Sequence, residues 1–355
     1  MENLPGRSRI ERGLLDTLAQ RRTGVESPLH NIPIVVSGLG SDLHNTGALF
    51  GRAKRKKITQ AMVLSLIDVA TKKNKPDRVR TYWNTYHCQS RIITANDRLH
   101  GKYCKNRFCT LCSSIRKANL INKYYPYIQT WEDSHFLTLT VKAIPAKELP
   151  RYCKGMLKLF AKIIDKHRKR GKRGKGIALE GIRSLECNFN PKARTYNPHF
   201  HVLVRSRQMA EAIKQEWLIR FPKVHARPYA QHIRKVEDMT KDLIETIKYG
   251  SKIFTEPDLR RKEAKGESRY VYVSALDNIL TAMAGRRIFD RFGFNLPPKE
   301  SKSPNERHLI EYNIWSYEPR TSDWVNLETG ETLTGFLPSK ELSILLKTQI
   351  DKDLQ

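Results

Sequence analysis

The run "IALEGIRSLECNF", followed across the polar turn "NPKARTY" by "NPHFHVLV", is the feature that most constrains how this chain can fold. Two strand-like stretches joined by so short a polar connection read as an antiparallel hairpin. A strand alternates its side chains, so His199 and His201 share one face while Phe200 and Val202 share the other. Two imidazoles in front of an apolar run make a poor core pair, because each ring needs its own buried hydrogen-bond partners. A divalent ion such as Mn²⁺ answers both rings at once. Glu186, in "RSLECNF" on the partner strand, offers a carboxylate to complete a His-His-Glu set with positions left open for substrate oxygens.

The remaining pattern mixes strands and helices. "SHFLTLTV" (134–141) reads as a buried strand and "AQHIRKV" as a short one. Residues 148–170 show helical periodicity, as do "RQMAEAIKQEWLIRF", "DMTKDLIETIKYGSKIF" and "VSALDNILTAMAGRRIFDRFG", the last expected to end near Gly293. "KRKKITQAMVLSLIDVATKKNK" reads as one helix behind a segment, 1–55, expected to be largely mobile. Beyond the Pro-rich "NLPPKESKSPNE", the stretch "EYNIWSYEPRTSDWVNLETGETL" reads as a β-hairpin. The expectation is an α+β fold: an antiparallel central sheet with helices on one side, plus a Cys-rich segment. Four regions follow: a basic extension (1–80), a zinc-binding segment (81–125), a catalytic domain (130–295), and a linker with the terminal hairpin (296–355).

Charge narrows the partner. With 65 Lys and Arg against 36 Asp and Glu, the formal charge is +29, and nucleic acid is the expected counterpart. From Arg151 to Lys175 there are eleven basic residues and one acid, Asp165. Lys169, Arg170, Lys172, Arg173 and Lys175, in and around the glycine-broken "KRGKRGKG", are candidate phosphate contacts beside the proposed site. No apolar run reaches the roughly 18 residues of a membrane span, and "MENLPGRSRI" carries no signal-peptide pattern. A cytoplasmic protein without a membrane partner is expected.

Four of the six cysteines lie close together: Cys88, Cys104, Cys109 and Cys112. Four thiolates suit a closed, structural Zn²⁺ site, with His87 or His100 as possible substitutes for one ligand. Cys153 and Cys187 stand apart and are expected to pack as small apolar groups.

"ETIKYGSK" places Glu245 and Tyr249 four apart, hence on one helical face, with Lys248 and Lys252 near the tyrosine. A phenol becomes a useful nucleophile only when cations stabilise its phenolate; two lysines and a metal ion supply them.

In order, "FLTLTV", "NPHFHVLV" and "KYGSK" resemble the three motifs of rolling-circle replication initiators of the HUH endonuclease superfamily. The chain is most similar to the Rep proteins of small bacterial plasmids, which carry one catalytic tyrosine. The upstream Cys-rich segment, the glutamate in "LE" ahead of the histidines and the glutamate before the tyrosine agree with that likeness, which covers roughly residues 86–290. The resemblance implies that His199, His201 and Glu186 bind catalytic Mn²⁺ or Mg²⁺, and that Tyr249 attacks single-stranded origin DNA to leave a 5′-phosphotyrosine. It implies further that Glu245 activates water or assists a second cleavage; from the residues themselves, Lys252 is expected to attend the phenol and Lys248 to contact DNA as well. No "GxxxxGK[ST]" is present, so a host helicase is implied, with a host polymerase to extend the nicked strand. A single-tyrosine HUH transposase and a non-catalytic zinc-containing DNA-binding regulator are the alternatives.

Overall fold

The computed structural model describes residues 43–95, 98–222, 224–247, 269–296, 312–340 and 343. Lys248, Tyr249 and Lys252 lie outside the described residues, as does most of the segment 1–55. In chain order come α1 (Thr46–Lys72), α2 (Pro76–Tyr86), β1 (Arg91–Ala95), β2 (Arg98–Gly101) and α3 (Thr110–Ile128). There follow β3 (His135–Thr140), α4 (Leu149–Lys172), β4 (Gly181–Asn190), β5 (Thr195–Val204) and α5 (Arg207–Arg220). The last elements are β6 (His232–Lys235), α6 (Met239–Ile247), α7 (Arg269–Met283), β7 (Phe289–Phe292), β8 (Asn313–Glu318) and β9 (Asp323–Asn326). No described helix is long and apolar enough to cross a membrane. The chain divides into two compact units, residues 1–116, 260–273 and 298–355 in one, and 117–259 and 274–297 in the other.

In the first unit, α1 starts earlier than its basic run suggests. Asn45 caps it, the side-chain oxygen accepting from Ala48 N at 2.9 Å. Its apolar side, including Leu49 and Ala53, packs with Ile92, Leu99, Trp315, Tyr317 and Trp324. The sheet runs β2-β1-β8-β9. The terminal hairpin is therefore built into this sheet: Ile92 lies opposite Trp315 and Arg91 opposite Ser316. Trp324 is fully buried, its indole donating to Gln89 O at 2.7 Å.

The second unit holds a five-stranded antiparallel sheet, β6-β3-β5-β4-β7. β4 and β5 form the expected hairpin, paired from Gly181–Val204 to Asn190–Thr195. Asn190 Oδ1 shapes the turn by accepting from Lys192 N and Ala193 N. Gly181 is required where the strands crowd, since a Cβ there would sit 2.4 Å from Leu203 O. Gly293 combines φ +80° with a Cβ position 2.0 Å from Leu179 O.

Two expectations need correction. Helices cover both faces: Phe200 packs against Phe160 of α4 and Trp217 of α5, whereas α6 lies on the other face, which carries His201. The helix expected to reach Gly293 stops at Met283, and Phe289–Phe292 is an edge strand paired with β4. Gly285 at φ +67° ends the helical stretch, and the four residues "FDRF" are too few for periodicity to tell strand from helix. Cys153 and Cys187 are buried, and burial pushes the Cys153 thiol up to about 11.

Candidate metal centre and its cleft

Strand register builds the first donor set. Glu186 on β4 is directly opposite His199 on β5, and His201 lies opposite Ser184. Side chains of these positions share one face, and Glu186, His199 and His201 are all buried. Their candidate ligand atoms fall within 4.8 Å of one another. His199 Nε2 is 3.9 Å from Glu186 Oε2, and His201 Nδ1 is 3.7 Å from Glu186 Oε1. The rings are 5.0 Å apart.

His199 Nδ1 sits 3.0 Å from the carbonyl oxygen of Asn197. A carbonyl only accepts, so Nδ1 carries the proton and Nε2 keeps its lone pair toward the glutamate. Two imidazole nitrogens and a carboxylate, converging and preset in this way, could hold a metal ion.

A fourth group reaches the same place from α6. Glu245 Oε1 is 3.9 Å from His201 Nδ1. The helix is tethered at its start, where Arg234 of β6 donates to both carboxylate oxygens of the buried Asp242, one at 2.8 Å. The Arg234 guanidinium also stands 4.6 Å from the centre of the Phe136 ring, and that ring packs edge-on against His201. Hydrogen bonding to Asp242 raises the Arg234 pKa above its ordinary value. Neither Arg234 nor Asp242 carried a signal in the sequence, since one charged pair across a loop looks like any other.

The donors open into a cleft of about 750 Å³ lined by Thr138, Thr140, Lys142, Asn188, Asn197, His225, Arg227, Tyr229 and His232, among others. Among the described residues, no carboxylate lines it. The cationic residues on this wall were not among the sequence candidates. The expected phosphate contacts, Lys169, Arg170, Lys172, Arg173 and Lys175, are exposed at the end of α4, a helix packed on the Phe200 face. They stand on the opposite side of the sheet from the donors, not beside them. Nearness in sequence misleads here because successive strand residues face opposite ways.

The second donor set belongs to the first unit. Cys88, Cys104, Cys109 and Cys112 converge with their sulfurs within 4.8 Å, and none is in a disulfide. Cys112 Sγ lies 3.6 Å from both Cys88 Sγ and Cys104 Sγ. Lys105 and Gln89 take positive φ, 58° and 55°, which lets two tight turns aim their neighbours inward. Asn106 N donates to Cys104 Sγ at 3.4 Å. Hydrogen bonds from Cys109, Cys112 and Cys88 drive the Cys104 thiol well below its ordinary range. Four sulfurs this close ionise together only against a cation, so the set fits tetrahedral Zn²⁺.

Cys88 is the fourth member, correcting the histidine alternatives: His87 stacks on Trp83 and His100 is exposed on β2. Beneath the knuckle lies Lys56, fully buried, donating to the carbonyls of Tyr86 and Cys88 at 2.7 Å each and to Ser90 Oγ at 3.2 Å. Burial lowers its pKa to about 8 against the opposing pull of Cys88, Cys109 and Cys104. In "KRKK" it looked like one more solvated lysine.

Residues 97–323 match the family described as Replication protein, a segment that holds every donor named above except Cys88. A Protein rep of Staphylococcus aureus is 34% identical over 165 residues, covering 42% of this chain and 69% of that protein. One of Streptococcus pneumoniae is 31% identical over 219 residues, covering 54% and 64%. One of a Bacillus species is 29% identical over 150 residues, covering 39% and 47%. No solved structure matches the chain. With more than half its length on that family and the donors inside the matched segment, this chain belongs to the Rep family of rolling-circle replication initiators.

Proposed function

We propose that the protein nicks and rejoins single-stranded DNA at a plasmid origin, with Tyr249 as nucleophile. The observation that carries this reading is the convergence of Glu186, His199 and His201 on one buried sheet face beside an open cleft lined by Lys142 and Arg227. Glu186, His199 and His201 would hold a divalent ion, which would polarise the scissile phosphate. Tyr249 follows Glu245 by four residues in the sequence. Its phenol oxygen forms a new bond to phosphorus as the bond to the 3′ oxygen breaks. The phenol proton passes to solvent water, the leaving oxygen takes one from water as a 3′-hydroxyl, and the 5′-phosphate stays on the tyrosine. The phosphodiester energy is conserved, so a 3′-hydroxyl can reverse the step without ATP. Lys248 and Lys252 stabilise the phenolate. Glu245, within 3.9 Å of His201, takes the proton of an attacking water or hydroxyl in the cleavage that ends the cycle. The Cys₄ set would hold a structural zinc, and host helicase and polymerase would supply unwinding and extension in the cytoplasm.

The test uses labelled single-stranded oligonucleotides tiled across the replicon that carries the gene, incubated with protein and Mn²⁺. A covalent adduct is expected on a denaturing gel, abolished by Tyr249→Phe while DNA binding persists. An adduct that survives Tyr249→Phe removes that nucleophile. Native protein that forms none on any oligonucleotide removes the nicking activity and leaves a DNA-binding regulator.

A further inference from the structure

The cleft beside the donor set has a second wall that the nicking chemistry does not use. It is the segment 224–232, which includes a short 3₁₀ turn at Pro228–Ala230. Val224 and Tyr229 are exposed there, Tyr229 to 71%. The tyrosine is nonetheless held in place. Arg227 Nη1 donates to its hydroxyl at 2.7 Å, and the guanidinium lies 5.8 Å from the ring centre. The segment itself is fastened to the end of β3. Buried Gln231 accepts from Thr140 N at 2.8 Å through Oε1, and its Nε2 donates to Thr140 O and Arg227 O. Lys142 N donates to His225 O at 2.7 Å. A rigid, solvent-facing aromatic ring thus stands on an anchored loop, paired with a guanidinium, at the mouth of a cleft that ends at the metal donors.

An exposed tyrosine fixed in this way presents a flat apolar face at little further entropic cost. Single-stranded nucleic acid is bound by such a combination: bases stack on aromatic faces and cations track the phosphates. A duplex cannot offer its base faces to Tyr229. We propose that Tyr229 and Arg227 form a subsite for one unpaired nucleotide flanking the scissile phosphate, Tyr229 stacking its base and Arg227 holding its phosphate, with Lys142 and His232 lining the path to the donors. This subsite rests on the nicking reading for its place beside the scissile phosphate, but its binding is separable from the chemistry.

The experiment measures anisotropy of a fluorescein-labelled oligo-dT of about 8 nucleotides, short enough to report on one local site, with full-length protein and no added divalent ion. Tyr229→Ala is expected to weaken binding roughly 5- to 100-fold, and Tyr229→Phe to stay within about threefold of native. Arg227→Gln should reduce the slope of log affinity against log salt by about 0.7, the contribution of one single-strand phosphate. A strand carrying 5-iodouracil should photocrosslink to Tyr229, located by mass spectrometry of the peptides. Because the ring is exposed, these variants should melt like native protein. Unchanged affinity in Tyr229→Ala, an unchanged salt slope in Arg227→Gln, or equal loss on a duplex of the same length would each overturn the subsite. If Tyr229→Ala loses affinity while native protein forms no covalent adduct, the nicking reading fails and the nucleotide site stands. If the adduct forms equally well in native and Tyr229→Ala protein at limiting DNA, nicking stands and the subsite fails.

Discussion

Glu186 and His199 face each other across the β4–β5 ladder, carboxylate oxygen and imidazole nitrogen 3.9 Å apart, with both side chains out of solvent. Burying a carboxylate beside two imidazoles is costly unless a cation or proton offsets it. Glu186→Gln keeps the shape and removes the charge. Mn²⁺ affinity measured by titration calorimetry should fall by at least the roughly 10- to 100-fold typical of losing a supporting partner, with the fold retained. Unchanged Mn²⁺ binding would take Glu186 out of the ligand set.

Glu245 touches the same site from α6 without belonging to the three-residue donor cluster. Its replacement should therefore separate two steps. Glu245→Ala should form the covalent adduct at near-native rate, while hydrolytic release or transfer slows about 100-fold, the ordinary contribution of a general base. Single-turnover gels that follow adduct decay would show this, and decay at the native rate would exclude Glu245 from the chemistry.

The cysteine knuckle should carry roughly one zinc per chain by elemental analysis, and its removal by a strong chelator should unfold the segment it organises. Lys56 tests how that segment is supported. Lys56→Met keeps the aliphatic stem but leaves the carbonyls of Tyr86 and Cys88 without their donor, at a cost of about 2–3 kcal/mol in urea denaturation. Fully folded, zinc-free protein would contradict the first expectation, and native stability in Lys56→Met the second.

Acid sensitivity should have a local source between α4 and α5. Burial alone would raise the pKa of Glu216, but the hydrogen bond and charge of Lys166, with Arg220 at 3.2 Å, overcome it and hold the carboxyl below its usual value. The folded state thus favours the ionised form. The associated stability is complete above the unfolded pKa, near pH 4.5, and is lost as pH falls through the lower folded value. The contribution is about 1 kcal/mol, since both cations are partly exposed. Glu216→Gln should lower stability at neutral pH and flatten the acid limb of the melting curve. An acid limb identical to native would show that Glu216 contributes nothing to it.

The sequence alone determined that His199 and His201 share a face, because a strand's period of two is set by backbone geometry over a few residues. It also determined the β4–β5 hairpin and the gathering of four cysteines, since a short polar turn and a CxxC spacing are local facts too. Which acid stands opposite which histidine was decided by register, and a slip of one residue would have turned Glu186 to the other face. Only the tertiary structure buried Lys56 beneath the knuckle, because nothing in "KRKK" distinguishes one lysine until α1 packs. It likewise sent the basic end of α4 to the far side of the sheet, and brought Arg227 and Tyr229 to the cleft through the Gln231 anchor. Those placements depend on contacts between segments distant in the chain, whose free energy has no trace in local periodicity or charge.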